Sequence, residues 1–206
     1  NELKVPGEKT RYLLPTSQGT SEQMEGGGMQ AWQNDLVQGW AALLGAESGN
    51  ALLCQVDFPA LECFYNWFGE ETNLEWFYKT VRVEAGESWK TRTSIMPLHQ
   101  AGTIAAAKAG LAVEFTDLEQ NPPPGQALDF GLKIHSARDT AVELMLKATA
   151  LPSGETALLQ RGSAVIGPGL SSLQKCSWQH PFSGTTLLTC ALYDQNHQLL
   201  LEARTL

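Results

Sequence analysis

The chain has 206 residues and a net charge of −8, with the proportions of apolar and charged residues that soluble globular proteins have. Its 14 basic residues are scattered, and this argues against a nucleic-acid partner, because phosphate binding needs clustered Lys and Arg. No apolar run approaches the roughly 18 residues that a membrane-spanning helix needs, so we expect no membrane insertion.

The first half of the chain is predicted to be rich in β-strands. The segment 35–44 also fits a helical period, but Gly39 and Gly45 interrupt it, and strand is preferred. Ala85-Gly86-Glu87 is predicted to form a tight hairpin between the last two strands. The glycine-rich segment Met24–Gly28 lacks the spacing of a phosphate-binding loop. The predicted strands are 2–6, 10–15, 29–33, 37–45, 51–57, 61–68, 73–84 and 88–96.

The segment 61–78 combines aromatic side chains with carboxylates. Residue alternation places Trp76 on one face of a strand and Glu75 and Phe77 on the other. Glu62 is expected to share a face with Phe64, either as a base of raised pKa or, as we favour, as an exposed or ion-paired carboxylate. Flat rings could stack on a pyranose, or they could fill a sheet core, which is favoured. The candidate ligand-binding residues are Trp32, Tyr65, Trp67 and Trp76.

The second half alternates apolar and polar residues at 128–135 and 142–148, which is typical of half-buried strands. Further strands are predicted at 111–116, 157–166, 171–178, 186–193 and 198–205. Turns are expected at 121–125, 152–154, 167–169 and 194–196. Seven short strands in about a hundred residues indicate an immunoglobulin-like or fibronectin-III-like sandwich, although the cysteine–tryptophan–cysteine core of antibody domains is absent.

Four cysteines lie at positions 54, 63, 176 and 190, without the spacing of a zinc site. Cys54 and Cys63 flank a predicted turn at Phe58-Pro59, and Cys176 and Cys190 flank residues 180–184. Two hairpin disulfides would imply an oxidising compartment and an exported protein. Buried free thiols are the favoured alternative, and in that case the sequence leaves the localisation open.

Five short segments of the first half resemble the galactose-mutarotase-like supersandwich, over residues 1 to about 100. These segments are Gln38–Leu43, Leu52–Asp57, Leu61–Tyr65, Asn73–Trp76 and Val83–Trp89. Proteins of this kind include sugar epimerases and non-catalytic domains of glycoside hydrolases. An epimerase needs a carboxylate base and usually a histidine acid. The resemblance therefore implies Glu62 or Glu75 as base and His99, the one histidine of this half, as acid. A hundred residues is less than a full supersandwich, so a truncated copy without the acid–base pair is expected.

The sequence thus predicts an all-β protein with two domains, a supersandwich-like domain at 1–103 and an immunoglobulin-like sandwich at 104–206. The expected function is a non-catalytic module, carbohydrate-associated or protein-interacting, in a larger bacterial protein. This fits the start at Asn1 rather than Met, from which a fragment of a longer chain is expected. No cofactor or metal is expected, and the expected partners are a carbohydrate or other domains of a parent protein. A mutarotase-like enzyme and a structural spacer are the alternatives.

Overall fold

The computed structural model of the protein describes residues 2–5, 9–24, 30–68, 72–119, 126–179 and 185–205. In these residues the regular structure is antiparallel β-sheet, apart from one 3-10 turn at Phe58–Ala60. The predicted all-β class is confirmed. The chain divides into two compact units, Asn1–Ala101 and Gly102–Leu206. Independent folding of two domains that meet near residue 103 stays a prediction.

Unit 1 contains two antiparallel sheets. One has four strands in the order β1-β8-β7-β4, and the other has five in the order β3-β2-β5-β6-β9. The strands are β1 Glu2–Val5, β2 Thr10–Thr16, β3 Gly19–Met24, β4 Gln30–Gln33, β5 Trp40–Gly45, β6 Ala51–Val56, β7 Leu61–Phe68, β8 Thr72–Tyr78 and β9 Thr93–Leu98.

The core of unit 1 lies between these two sheets, as in a β-sandwich. The five-stranded sheet supplies Tyr12, Leu14, Ala41, Leu43 and Cys54, and the four-stranded sheet supplies Leu61, Phe64, Leu74 and Trp76. Every residue of β5 is buried. The continuous apolar run Trp40–Leu44 is consistent with a strand that is buried on both faces, and the structure confirms strand rather than helix here.

The segment between β8 and β9 differs from its prediction. Strand β8 ends at Tyr78 and β9 begins at Thr93, and the two strands belong to different sheets. The hairpin that was predicted around Gly86 is therefore wrong. The turn itself exists, because Glu87 N donates to Glu84 O at 3.0 Å and Gly86 has a positive φ of 87°, but it lies within an irregular connection. A local turn signal does not determine which strands pair.

Strand β3 was not predicted, because Gly19–Met24 is polar and lacks apolar alternation. It pairs with β2 at the edge of the five-stranded sheet. Several predictions lie outside the described residues. These are most of the glycine-rich segment at 24–28, the turns at 121–125 and 180–184, and the ends of two strands at residues 6 and 29.

Unit 2 contains two four-stranded antiparallel sheets, in the orders β10-β11-β12-β15 and β14-β13-β16-β17. The strands are β10 Ile104–Lys108, β11 Leu111–Thr116, β12 Ala127–Ser136, β13 Thr140–Ala150, β14 Thr156–Ile166, β15 Ser171–Gln179, β16 Thr186–Tyr193 and β17 Leu199–Thr205. All seven predicted strands are present in the described residues, and β10 is an eighth. It was missed because its alanine-rich sequence has no alternation of apolar and polar residues.

One apolar core joins the two sheets of unit 2, and the arrangement is sandwich-like. Val113, Leu132 and Ile134 come from one sheet, and Leu144 and Cys190 come from the other. On β13 the even-numbered residues from 142 to 150 are buried, so the odd-numbered ones face outward. The alternation that was read from the sequence thus defines an outer face on this sheet.

All four cysteines are buried free thiols, so the favoured interpretation is confirmed and the proposed disulfides are wrong. Burial raises the pKa of Cys54 to about 12 and raises the pKa of Cys176. Burial also raises the pKa of Cys190, with a smaller contribution from nearby Cys176. The oxidising compartment that two disulfides would have implied loses its support.

Gly39 gives a stability prediction. A Cβ at this position would lie 2.5 Å from the Val56 carbonyl oxygen and 2.8 Å from Phe58 Cβ, and Gly39 O accepts the Val56 N–H at 2.8 Å. We expect Gly39→Ala to lower the free energy of unfolding by about 1–3 kcal/mol, measured by urea denaturation. Gly162→Ala is the control, because its Cβ would meet no atom within 4 Å. Equal effects of the two substitutions would contradict the prediction.

The thiols give a second prediction. Because the thiolate is the reactive form and burial disfavours it, we expect no cysteine to react with an aromatic disulfide reagent in the native protein at pH 8. In denaturant all four should react. Mass spectrometry of the labelled protein measures both. Rapid labelling of Cys54 or Cys190 under native conditions would show that the core of that unit is open.

Candidate functional site

A contiguous group of aromatic side chains lies on the outer face of the four-stranded sheet of unit 1. Phe64, Leu74 and Trp76 point into the core, so their neighbours on β7 and β8 point outward. We call the outward group the aromatic surface, and it consists of Trp32, Tyr65, Trp67, Phe77 and the carboxylate Glu75.

Strand register brings the members of this surface together. Trp32 on β4 lies opposite Tyr65 on β7, and Tyr65 lies opposite Glu75 on β8. These three side chains form a row across three strands. Trp67 lies one outward position along β7 from Tyr65, and Phe77 lies one outward position along β8 from Glu75.

Trp32 is the most exposed ring of the aromatic surface, with 59% of its surface accessible, and Phe77 is 38% accessible. The Trp32 ring centroid lies 4.6 Å from that of Tyr65 and 5.3 Å from that of Phe77, with interplanar angles of 45° and 48°. The rings therefore support one another, and the far side of the indole faces solvent. Single exposed apolar residues are ordinary, whereas an exposed ring in contact with other rings is a candidate for a binding surface.

Glu75 is the polar member of the aromatic surface. Asn73 Nδ2 donates a hydrogen bond to Glu75 Oε1 at 3.1 Å, which orients the carboxylate. A carboxylate has about four acceptor positions, so Glu75 keeps acceptor capacity beyond the hydrogen bond from Asn73.

The core holds the far end of the surface in place through one hydroxyl. Tyr12, which is fully buried on β2, directs its hydroxyl at Asn73 O at 2.6 Å and at Trp67 O at 3.1 Å. Trp67 and Asn73 are opposite each other in the β7–β8 pair. The ends of these two strands are thereby fixed to the five-stranded sheet.

The structure separates Trp76 from the other predicted ligand-binding residues. Its side chain is 6% exposed and packs in the core of unit 1, whereas Trp32, Tyr65 and Trp67 share the opposite face. Phe77 was not proposed as a site residue. The alternation of β8 already placed it on the same face as Glu75, and that is the signal that could have found it.

The sequence suggested that Glu62 shares a strand face with Phe64. The structure shows that it does not. The pairing of β7 with β8 shifts register between Leu61 and Cys63. Glu62 is the extra residue of this bulge and is exposed, whereas Phe64 is buried in the core. A bulge inverts the alternation beyond it, so the period-two argument fails at this point.

The structure places His99 just after the end of a strand of the five-stranded sheet, whereas both glutamates lie in the four-stranded sheet. His99 directly follows β9, and its Nδ1 lies 2.8 Å from Asn50 Oδ1 in a hydrogen bond. Glu62 and Glu75 belong to β7 and β8. The implied acid, His99, and the implied bases, Glu62 and Glu75, are therefore carried by strands of two different sheets.

Unit 2 contains a buried pair of a glutamate and a histidine that sequence reasoning missed. His135 Nε2 and Glu114 Oε1 lie 2.5 Å apart, and both side chains are almost completely buried. Glu114 Oε2 also accepts the Gly102 N–H at 2.8 Å. Both oxygens of the Glu114 carboxylate therefore have a hydrogen-bond partner, as a buried carboxylate needs, and this accounts for the pair as part of the structure.

No group of three or more His, Cys, Asp and Glu side chains that could hold a metal ion occurs among the described residues. The same residues include no helix that is long and apolar enough to span a bilayer. Comparison with models of known protein families gives no match, and neither does comparison with curated proteins. The mutarotase-like and immunoglobulin-like resemblances therefore stay predictions.

Trp76 on the core face and Trp32 on the outer face of the four-stranded sheet form a matched pair for a stability prediction. Trp76→Ala should lower the free energy of unfolding by about 3–5 kcal/mol, because it empties a core site. Trp32→Ala should lower it by only about 1 kcal/mol, the value of its ring contacts. Chemical denaturation followed by circular dichroism measures both. A loss for Trp32→Ala as large as for Trp76→Ala would show that Trp32 serves the fold rather than a ligand.

Proposed function

We propose that the protein is a non-catalytic carbohydrate-binding module and that the aromatic surface is its binding site. The observation that carries this proposal is the row Trp32–Tyr65–Glu75, in which an exposed ring, a half-buried ring and an oriented carboxylate lie side by side. The apolar face of a pyranose ring stacks on an indole, and sugar hydroxyls donate hydrogen bonds to a carboxylate. A binding module fits the placement of His99 at the end of a strand in a different sheet from Glu62 and Glu75.

The spacing of the rings favours a sugar over a quaternary ammonium ion. A cation in an aromatic cage lies between rings, within about 6 Å of each centroid. Trp32 and Tyr65 contact each other at 4.6 Å between centroids, so the space between them is closed. The open part of the surface is the outer side of Trp32 beside Tyr65 and Glu75, which suits a flat ligand that stacks from above.

The surface is built on a sheet face rather than in a deep cleft, and this limits the affinity. A ligand on such a face buries only one of its sides, so the apolar contribution of about 25 cal/mol per Å² applies to a small area. We therefore expect a Kd of about 1 mM for a short oligosaccharide, equivalent to about −4 kcal/mol.

The proposal is tested by titrating the protein with neutral oligosaccharides of glucose, galactose and mannose, followed by calorimetry and tryptophan fluorescence. At least one series should bind, and Trp32→Ala should weaken that binding at least about tenfold, or 1.4 kcal/mol. Glu75→Gln should weaken it less, because the amide keeps one acceptor oxygen. Tetramethylammonium ion is the competing probe, and binding of this ion instead of sugars would support a cation site.

Trp89→Ala is the matched control for Trp32→Ala. Trp89 is 41% exposed and packs edge-on against Tyr78 with centroids 5.5 Å apart, outside the aromatic surface. Binding that survives Trp32→Ala but not Trp89→Ala would show that the sugar site lies at Trp89 and not on the aromatic surface. The same samples are assayed for sugar anomerisation, and no rate above background is expected. Rapid mutarotation that disappears in Glu62→Gln or Glu75→Gln would show that the protein is a mutarotase-like enzyme rather than a binding module.

A further inference from the structure

A second candidate site lies in unit 2, on the outer face of the β14-β13-β16-β17 sheet. A cavity of about 280 Å³ opens there, lined by Glu143, Leu144, Met145, Arg161, Tyr193 and His197. Pockets that hold drug-sized ligands measure about 300–1,000 Å³, so this cavity suits one small molecule. It involves none of the residues of the aromatic surface.

Strand register explains how these side chains meet. Glu143 and Met145 are adjacent outward positions of β13. Tyr193 on β16 lies opposite Glu143, and Arg161 on β14 lies opposite Met145. The cavity thus has an apolar centre at Met145, an aromatic ring on one side and a cation on the other.

His197 reaches the cavity from the turn between β16 and β17. Its backbone has a positive φ of 58°, a turn conformation in which histidine is enriched among the non-glycine residues. Asp194 holds this conformation, since its Oδ1 accepts the N–H groups of Asn196 and Gln198, each at 2.8 Å. His197 N also donates to Asp194 O at 3.0 Å. The imidazole is therefore carried by a fixed turn.

Glu143 sets the chemistry of that imidazole. Glu143 Oε2 lies 3.0 Å from His197 Nδ1, so a neutral ring keeps its proton on Nδ1 and presents Nε2 as a hydrogen-bond acceptor. Arg161 is exposed and has no ion-pair partner within the part of the chain that the structure describes. Its guanidinium has the geometry to bind a carboxylate through two parallel hydrogen bonds.

We propose that this cavity binds a small hydroxycarboxylate, such as a uronic acid. The carboxylate pairs with the Arg161 guanidinium, a hydroxyl donates to His197 Nε2, and the carbon skeleton packs on Met145 and the Tyr193 ring. Arg161 lies opposite Met145 and not opposite Glu143, so the ligand carboxylate and the Glu143 carboxylate occupy different positions along the strands. The cavity is thus a site for acidic ligands, independent of the neutral-sugar site proposed for unit 1.

The test is a titration with D-glucuronate, with D-glucose as the matched uncharged probe, followed by NMR of the His197 imidazole signal. Glucuronate at millimolar concentration should shift this signal, and glucose should not. Arg161→Gln should weaken glucuronate binding at least about tenfold. The control is Arg204→Gln on the same sheet, because Arg204 is already paired with Glu202 at 2.6 Å.

Two results would overturn the proposal. One is the absence of any shift of the His197 signal with glucuronate, and the other is equal binding by wild type and Arg161→Gln. Circular dichroism of Arg161→Gln confirms that the variant is folded. Trp32→Ala should leave glucuronate binding unchanged, and a loss in that variant would assign the acid to the aromatic surface instead. Failure of the neutral-sugar titration does not affect this test.

Discussion

Burial of Phe64, Leu74 and Trp76 is the constraint on which the aromatic surface depends. Neighbouring residues on a strand point to opposite faces. Because these three side chains are buried in the core, the residues next to them on β7 and β8 face outward. A slip of one residue would put Glu75 in the core and Trp76 on the surface. The cost of a buried, unpaired carboxylate makes that alternative prohibitive. The core thus specifies the register and, with it, the row Trp32–Tyr65–Glu75.

The parts of the fold that were predictable from the sequence are those in which one strand face is buried. The strand 128–135 and the strand 142–148 both alternate cleanly, and both exist with ends that lie within two residues of the prediction. The alternation of β8 was also correct, including the separation of Glu75 and Phe77 from Trp76. In these segments the burial of one strand face requires apolar residues at alternate positions, so the local sequence shows the strand.

The remaining features depend on partners that a local pattern does not contain. Glu62 lies on a bulge, and only the pairing of β7 with β8 reveals the shift. Strand β10 is alanine-rich, and its pairing with β11 rather than its own pattern makes it a strand. The Glu143–His197 contact joins residues more than fifty positions apart through a hairpin turn. The sequence offers no signal for this contact, because the two residues lie in segments with no recognisable spacing between them.

The contact made by Tyr12 has a consequence for how the aromatic surface can change. Its hydroxyl binds the backbone carbonyls of Trp67 and Asn73, which every amino acid possesses. Side chains at positions 67 and 73 can therefore be exchanged while the anchor between the two sheets persists. Trp67 is a member of the outer face, so substitutions there would change that face and leave this hydrogen bond in place. Position 67 is for this reason the place in the proposed binding surface where a library of side chains would least disturb the link between the two sheets.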